Sequence, residues 1–351
     1  MTEHAKWGHG ESDGDGGLGP IISERRRLIG LAYRLLGSLT EAEDVVQETY
    51  TRWYAMSRQQ QEAVESPGAW LTTVATRVCL DLLGSARARR ERYVGAWIPE
   101  PLPGRTDCVG GRPGTASVDL ADPADRVTLD ESVSTAFLVV LESITPAQRV
   151  ALILHDVFGY PFAEIGEMTG RTAAACRELA SSARRRLRTS LPPASPATRQ
   201  AALVENFKQA WDARDIHALV GLLAPDATFT ADGGGRVAAA FHPIRGGGSI
   251  ARYLTDLAVR ASGDLKVLGS TVNGRAGLVV EHEGVTVAVY AFDVVDDRIT
   301  HIWAMRNPEK LRAWTAGGRA ARQPVHGAPA EADLPADRSM GGAGQRMGVT
   351  G

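Results

Sequence analysis

The hydrophobic spacing of this chain changes period once, and that change limits what it can fold into. Across residues 21–190 apolar side chains recur at helical intervals, as in Leu28, Leu31, Ala32, Leu35 and Leu36. After residue 199 the pattern opens helical, with Leu203, Phe207, Ala210 and Trp211 on one face. It ends in β-rich stretches at 278–283, 285–293 and 298–306, separated by Gly284 and by Val295-Asp296-Asp297. Two proline-rich breaks, at 99–123 and 191–196, divide the chain. A length of 351 residues leaves room for two or three domains. The expectation is two all-α units followed by an α+β unit, helices first and an antiparallel meander after.

Local signals place the helices. Gly37 ends the first, and Thr40-Glu41-Ala42-Glu43 reads as a capping box opening the second. The second helix turns Ala42, Val45, Val46, Thr49 and Trp53 inward and shows Glu43, Asp44, Gln47 and Glu48 outward. Ser66-Pro67 opens the third, with Leu71, Val74, Ala75, Val78 and Leu82 as its core stripe. Trp70, Thr73 and Arg77 lie on its other side, and Arg87, Arg89, Arg90 and Arg92 follow. Beyond the first break come an amphipathic helix at 127–144 and a second capping box at Thr145-Pro146-Ala147-Gln148. A short helix at Phe162–Thr169, a turn at Gly170 and a long helix capped by Thr172 complete the helix-turn-helix order. Asp215 reads as the cap of a short helix ending at Pro225.

Charge matters by position rather than in total. The chain has 39 Lys+Arg against 41 Asp+Glu, a net of -2, without the basic excess usual in a nucleic-acid binder. Yet from Arg171 to Arg188 there are six arginines and one acid. Arginine suits both bidentate guanine contacts and phosphate. Alone, such a helix reads as a solvated basic face; behind a helix-turn-helix it reads as a DNA reader. Trp70 with the arginines after it fits single-stranded DNA through stacking and phosphate contacts. Other classes drop out. No apolar run approaches the roughly 18 residues of a membrane span, and no basic-then-apolar leader opens the chain. Cys79, Cys108 and Cys176 are too far apart for a metal pair or a disulfide framework. A cytoplasmic protein without metal or cofactor is expected, with disordered tails at 1–20 and 313–351.

In this order the pieces resemble a bacterial sigma factor of the extracytoplasmic-function type. The matching stretches are Leu31-Ala32-Tyr33-Arg34-Leu35-Leu36-Gly37, Glu41-Ala42-Glu43-Asp44-Val45-Val46-Gln47-Glu48 and Ala69-Trp70-Leu71-Thr72-Thr73-Val74-Ala75, then His155-Asp156-Val157-Phe158-Gly159-Tyr160 and Glu164-Ile165-Gly166. Three further motifs resemble the sigma-factor-J-like group, which carries a SnoaL-like (nuclear-transport-factor-2-like) extension. They are Tyr93-Val94-Gly95-Ala96-Trp97-Ile98-Pro99-Glu100-Pro101, Asp232-Gly233-Gly234-Gly235-Arg236 and Asn307-Pro308-Glu309-Lys310-Leu311. The group's linker motif usually reads Trp-Leu-Pro-Glu-Pro and its glycine motif usually ends in Lys, so Ile98 and Arg236 are conservative departures.

The resemblance implies sigma domain two at 21–95, a linker at 96–123, sigma domain four at 124–190, a second linker at 191–198 and a SnoaL-like cone with a curved antiparallel sheet at 199–312. It implies core RNA polymerase (β′ clamp helices and β flap) and promoter DNA as partners. Glu43, Asp44, Gln47 and Glu48 would meet polymerase. Trp70, Thr73, Arg77, Arg87, Arg89 and Arg90 would serve the minus-ten element, and Arg171, Thr172, Arg177, Ser181, Arg184 and Arg185 the minus-thirty-five element. The extension would act in place of a separate anti-sigma factor. It would pack on Trp97, Pro99, Glu100 and Pro101 through Asp232, Gly233, Gly234, Gly235, Arg236, Asn307, Pro308, Glu309 and Lys310.

An α+β cone also suggests two alternatives. One is residual cyclase-like catalysis by Asp232, His242, His282 or His301, for which spacing shows no acid–base pair. The other is a small-molecule ligand in the cone, which His301 would line beside Ile299, Trp303 and Met305 on one strand face. Cys176 reads as a structural thiol on the buried face of its helix, and Cys108 as the exposed one.

Overall fold

The structure is a computed structural model that describes residues 18–90, 93–104, 131–191, 195–260 and 265–315, with 18–23, 86–90 and 131 described as backbone only. The expected tails fall almost wholly outside these residues, as do Cys108 and most of the first break. Among the described residues, no helix is long and apolar enough to cross a membrane.

Four helices form the N-terminal domain: α1 (Leu18–Leu36), α2 (Leu39–Tyr54), α3 (Arg58–Glu62) and α4 (Pro67–Arg90). Gly37 closes α1 at φ +71°, a conformation glycine adopts without strain. The cap of α2 is Ser38, whose hydroxyl accepts from the Glu41 N–H, and not Thr40. A capping box at Thr40 would turn the Glu43 carboxylate back onto the Thr40 N–H; here the carboxylate of Glu100 takes the Leu39 and Thr40 N–H groups, so the helix starts earlier. On α4 the buried stripe is Leu71, Ala75, Cys79 and Leu83 with Thr72 and Thr76. Val74, Val78 and Leu82 are half-buried beside it.

The second helical domain holds α5 (Thr135–Leu141), α6 (Pro146–Leu152), a π turn (Ile153–Val157), α7 (Phe162–Thr169) and α8 (Ala173–Ser190). Helix α5 starts later than the expected 127–144 because the Ser134 hydroxyl accepts the Phe137 N–H and caps it there, and a 3-10 turn precedes it. The Thr145–Gln148 capping box is present, with Pro146 in the first turn. Gly170 ends α7 in the left-handed conformation and the Thr172 hydroxyl caps α8, so the helix-turn-helix stands as read. Its core is continuous with that of the first domain: Leu28, Leu35 and Leu71 share one apolar cluster with Leu154, Phe158, Ile165 and Leu187. Fully burying such side chains contributes about 1.5–3 kcal/mol each, so the two helical domains are joined by packing and not by contacts at the rim.

The C-terminal domain has α9 (Ala197–Asp212), α10 (Ile216–Leu222), β1 (Leu223–Asp232), β2 (Ile244–Arg245), α11 (Gly247–Arg260), β3 (Leu265–Val272), β4 (Arg275–His282), β5 (Val285–Val295) and β6 (Arg298–Met305). Its single sheet runs β2-β1-β6-β5-β4-β3. The expected meander is β4, β5 and β6, antiparallel throughout. The sheet is mixed, because β1 pairs parallel to β6. Pro225 read as a stop, yet it lies in β1 where the register shifts between Leu223 and Thr228, the kind of irregularity that tolerates proline. All three hairpins turn on two residues with positive φ: Asn273-Gly274, Glu283-Gly284 and Asp296-Asp297. That is the turn whose twist matches paired strands.

One sheet face is filled by α9 and α11. Phe207, Trp211, Phe229, Tyr290 and Phe292 meet there with ring centroids 5.2–6.3 Å apart. The other face gathers Val279, Val289, Ala291, Trp303 and Met305 with Ile98 of the linker and Ala136 and Val139 of α5. A bulge between Asp293 and Val294 breaks the alternation of β6. Ile299 therefore joins the helix-covered core, while Trp303 and Met305 face the linker side, with His301 stacked on Trp303 at 4.7 Å. The expectation that His301 and Trp303 line the cone with Ile299 is corrected by that bulge.

Candidate functional site

Residues 93–104 cross between the helical domains and the sheet, and the three motifs meet on them. Asp232 ends β1 with a fully buried side chain. One carboxylate oxygen accepts from the Tyr93 hydroxyl at 2.7 Å and the Gly234 N–H at 3.0 Å. The other accepts from the Ile98 N–H at 3.0 Å and Lys310 Nζ at 2.8 Å. Lys310 also donates to the Ile98 carbonyl at 2.6 Å and lies 4.4 Å from the Trp97 ring centroid and 5.0 Å from that of Tyr93. Asn307 donates to the Tyr93 hydroxyl at 2.9 Å and accepts the Glu309 N–H at 3.0 Å. Burial and the Asp232 carboxylate push the Tyr93 phenol above its ordinary range. A buried carboxylate is tolerated only when its lone pairs are satisfied, and here four donors do so.

The glycines make room for this group. A Cβ on Gly234, at φ +62°, would come within 2.3 Å of Asn307 Nδ2, and one on Gly233 within 2.3 Å of the Val237 carbonyl. Gly235 lies under Val94. Arg236 and Glu309 form an exposed ion pair at 2.7 Å, worth little by itself. Pro99 and Pro101 are buried and Pro308 is half-buried. Around Lys310 a cleft of about 340 Å³ is lined by Ser38, Thr40, Glu41, Tyr93, Trp97 and Arg312, among others.

Glu100 carries the linker into the N-terminal domain. Its carboxylate accepts from the Leu39 N–H at 2.8 Å, the Ser38 hydroxyl at 3.2 Å and the Thr40 N–H at 3.4 Å. Its own N–H donates to the Gly37 carbonyl at 2.8 Å. A linker carboxylate thus satisfies the first N–H groups of α2 and sits at the positive end of its dipole. Burial raises the carboxyl above its ordinary value against the pull of those hydrogen bonds.

The helices present the remaining residues. Glu43, Asp44, Gln47 and Glu48 are all exposed on α2. Trp70 is half-buried edge-on to Trp53 at 5.2 Å, and the Thr73 hydroxyl donates to the Ala69 carbonyl at 2.8 Å. Arg77 is engaged elsewhere: it donates to the Met168 carbonyl at 3.0 Å and the Glu167 carbonyl at 3.4 Å, at the end of α7. The side chains of Arg87, Arg89 and Arg90 lie outside the described residues. In the turn before α8, Arg171 and the cap Thr172 are exposed, and on α8 itself Arg177, Ser181 and Arg185 are exposed. Arg184 is not presented with them. It makes two bonds, 2.8 and 2.5 Å, to Asp156, whose side chain is 2% exposed.

Several residues that join the domains are not apparent from periodicity. Arg34, 2% exposed, bonds Ser132 at 2.7 Å and the Gly30 carbonyl at 3.0 Å. Arg149 donates to the carbonyls of Leu35 and Leu141 and to Glu142, and burial brings its pKa down to about 10. Asn273 makes four hydrogen bonds, to Leu102, Tyr33 and Val133, at the sheet edge. Its Asn-Gly sequence signals the turn but not the burial. The catalytic alternative gains nothing from position. Asp232 is spent on the linker, His242 is exposed, and His301 faces the linker side.

The Sigma-70 region 2 family matches residues 21–89, and the Sigma-70, region 4 family matches residues 134–187. The ECF RNA polymerase sigma factor SigJ of Mycobacterium tuberculosis is 35% identical over 298 residues, spanning 82% of this chain and 90% of that one. SigG, an ECF RNA polymerase sigma factor of the same organism, is 30% identical over 315 residues, spanning 80% and 78%. The crystal structure of Mycobacterium tuberculosis SigJ superposes with a TM-score of 0.64 at 31% identity, covering 84% of this chain and 98% of that one. The two helical domains and the α+β domain fused to them therefore form one known arrangement, and the chain belongs to the extracytoplasmic-function RNA polymerase sigma factors.

Proposed function

We propose that this chain is an alternative sigma factor that brings core RNA polymerase to particular promoters, and that its C-terminal domain holds it closed until it is needed. The observation that carries the reading is the Asp232 group, in which one buried carboxylate grips the linker at Tyr93 and Ile98. The linker in turn caps α2 through Glu100.

In this reading Glu43, Asp44, Gln47 and Glu48 dock the β′ clamp helices, and residues 124–190 meet the β flap. Trp70, Thr73 and the arginines beyond Ser85 serve the minus-ten element. Arg171, Thr172, Arg177, Ser181 and Arg185 contact the minus-thirty-five element, with Arg184 fixing the helix that presents them. The closed form leaves the α2 face free but spends Arg77 on the carbonyls of α7. Two promoter elements are engaged together only after that contact breaks. A partner that binds the open form alone meets an apparent affinity lowered by the open fraction. The C-terminal domain then does the work of a separate anti-sigma factor, by binding and not by catalysis.

The test is promoter-directed transcription by core polymerase supplied with the full chain or with Asp232→Ala. The variant loses the carboxylate that organises the lock and is expected to raise transcript yield several-fold. A yield equal to wild type, with the variant folded, defeats the proposal.

A further inference from the structure

Asn273 opens the tight turn between β3 and β4 at φ +50°, yet its side chain is not at a solvent-exposed tip. The residue is 1% exposed. Its side-chain oxygen accepts the Leu102 N–H at 2.8 Å, and its own N–H donates to the Leu102 carbonyl at 2.9 Å. Its amide nitrogen donates to the Tyr33 hydroxyl and to the Val133 carbonyl, each at 2.7 Å. The Tyr33 hydroxyl in turn donates to the Glu100 carbonyl at 2.8 Å. Both amide hydrogens and the oxygen are therefore used. The partners come from three places: the linker, α1 of the N-terminal domain, and the segment leading into α5 of the helix-turn-helix domain.

The Asp232 group differs in reach. Its partners outside the C-terminal domain are Tyr93 and Ile98, both in the linker. Pro103 and Gly104 extend the linker along β3, pairing with Val272 and Thr271. Asn273 stands where that extension meets both helical domains. The residue type is also specific. An aspartate there would set a carboxylate oxygen against the Val133 carbonyl with no hydrogen between them. Most other side chains would be strained at positive φ.

We propose that Asn273 is a positioning residue through which the C-terminal domain reinforces the packing of the helix-turn-helix domain against the N-terminal domain, so that release of the linker and release of that domain are separable steps. The proposal rests on the reading that the closed arrangement is the restrained one.

Asn273→Gly removes every side-chain bond while suiting the left-handed backbone. Tyr33→Phe removes only the shared hydroxyl. Full-length chains carrying each change, and Asp232→Ala beside them, are compared by small-angle scattering and by promoter-directed transcription with core polymerase. Three buried hydrogen bonds lost together predict that Asn273→Gly raises the extended population and the transcript yield about tenfold or more, and Tyr33→Phe roughly threefold. Wild-type scattering and yield for Asn273→Gly, with Asp232→Ala raised, overturn the role of Asn273 and leave the closed reading standing. If Asp232→Ala is unchanged as well, the closed reading falls with it. Should Asn273→Gly melt below the assay temperature, Tyr33→Phe decides: a raised yield supports the proposal and an unchanged one overturns it.

Discussion

Arg177, Ser181, Arg184 and Arg188 follow one another at helical spacing on α8, and on spacing alone Arg184 belongs with the DNA-facing residues. The fold separates it from them. Its partner Asp156 comes from the π turn of a neighbouring segment, a relation that no local pattern contains. Removing one member of a largely buried ion pair leaves the other without compensation, at about 3–5 kcal/mol. Arg184→Ala is therefore expected to lower the melting temperature sharply. Arg177→Ala and Arg185→Ala should leave it almost unchanged and weaken promoter binding instead, each reducing the salt dependence by about one counterion. Calorimetry beside a salt titration separates the two classes.

His301 adds a pH dependence at the same scale. Burial holds its ring below the ordinary 6.5, against the pull of Asp293. As pH falls through that ordinary value the unfolded chain takes up the proton first, so stability present above it is lost toward the lower folded pKa. Asp293, raised by burial, works in the opposite direction at more acid pH. Thermal melts from neutral to mildly acid pH should show a fall in stability that His301→Gln reduces.

At the scale of elements, what was legible follows from how local the signal is. The helix-turn-helix was readable because Gly170 and Thr172 mark its boundaries and α8 repeats its apolar residues at helical spacing. The start of α2 was misplaced because the group that decides it, Glu100, lies some sixty residues away. In the C-terminal domain β4, β5 and β6 stood out by composition, while β1 was hidden by Pro225 and β3 by its polar edge. The inward or outward sense of His301 was lost to a bulge of one residue, which reverses every side chain beyond it. The cap of α2 supplies a direct check. Glu100→Ala should cost about 1–2 kcal/mol, read as a lower melting temperature. Glu100→Gln should retain most of that stability, since its side-chain oxygen can still accept the Leu39 N–H.

For the whole molecule, a net charge of -2 suggests little affinity for DNA, but it sums an acidic face on α2 and an arginine helix in α8. The three sequence motifs of the linker and C-terminal domain were readable as motifs. Their meeting point, and the buried arginines Arg34 and Arg149 that join the helical domains, belong to tertiary structure alone. In the proposed cycle a closed molecule must open. The most direct test is the distance between labels at exposed positions 62 on α3 and 188 on α8, measured in the free chain, in Asp232→Ala and in the polymerase–promoter complex. A single short distance in the free chain, a longer one in the complex, and a mixture of the two in Asp232→Ala are expected. The same short distance in the promoter complex would contradict the account.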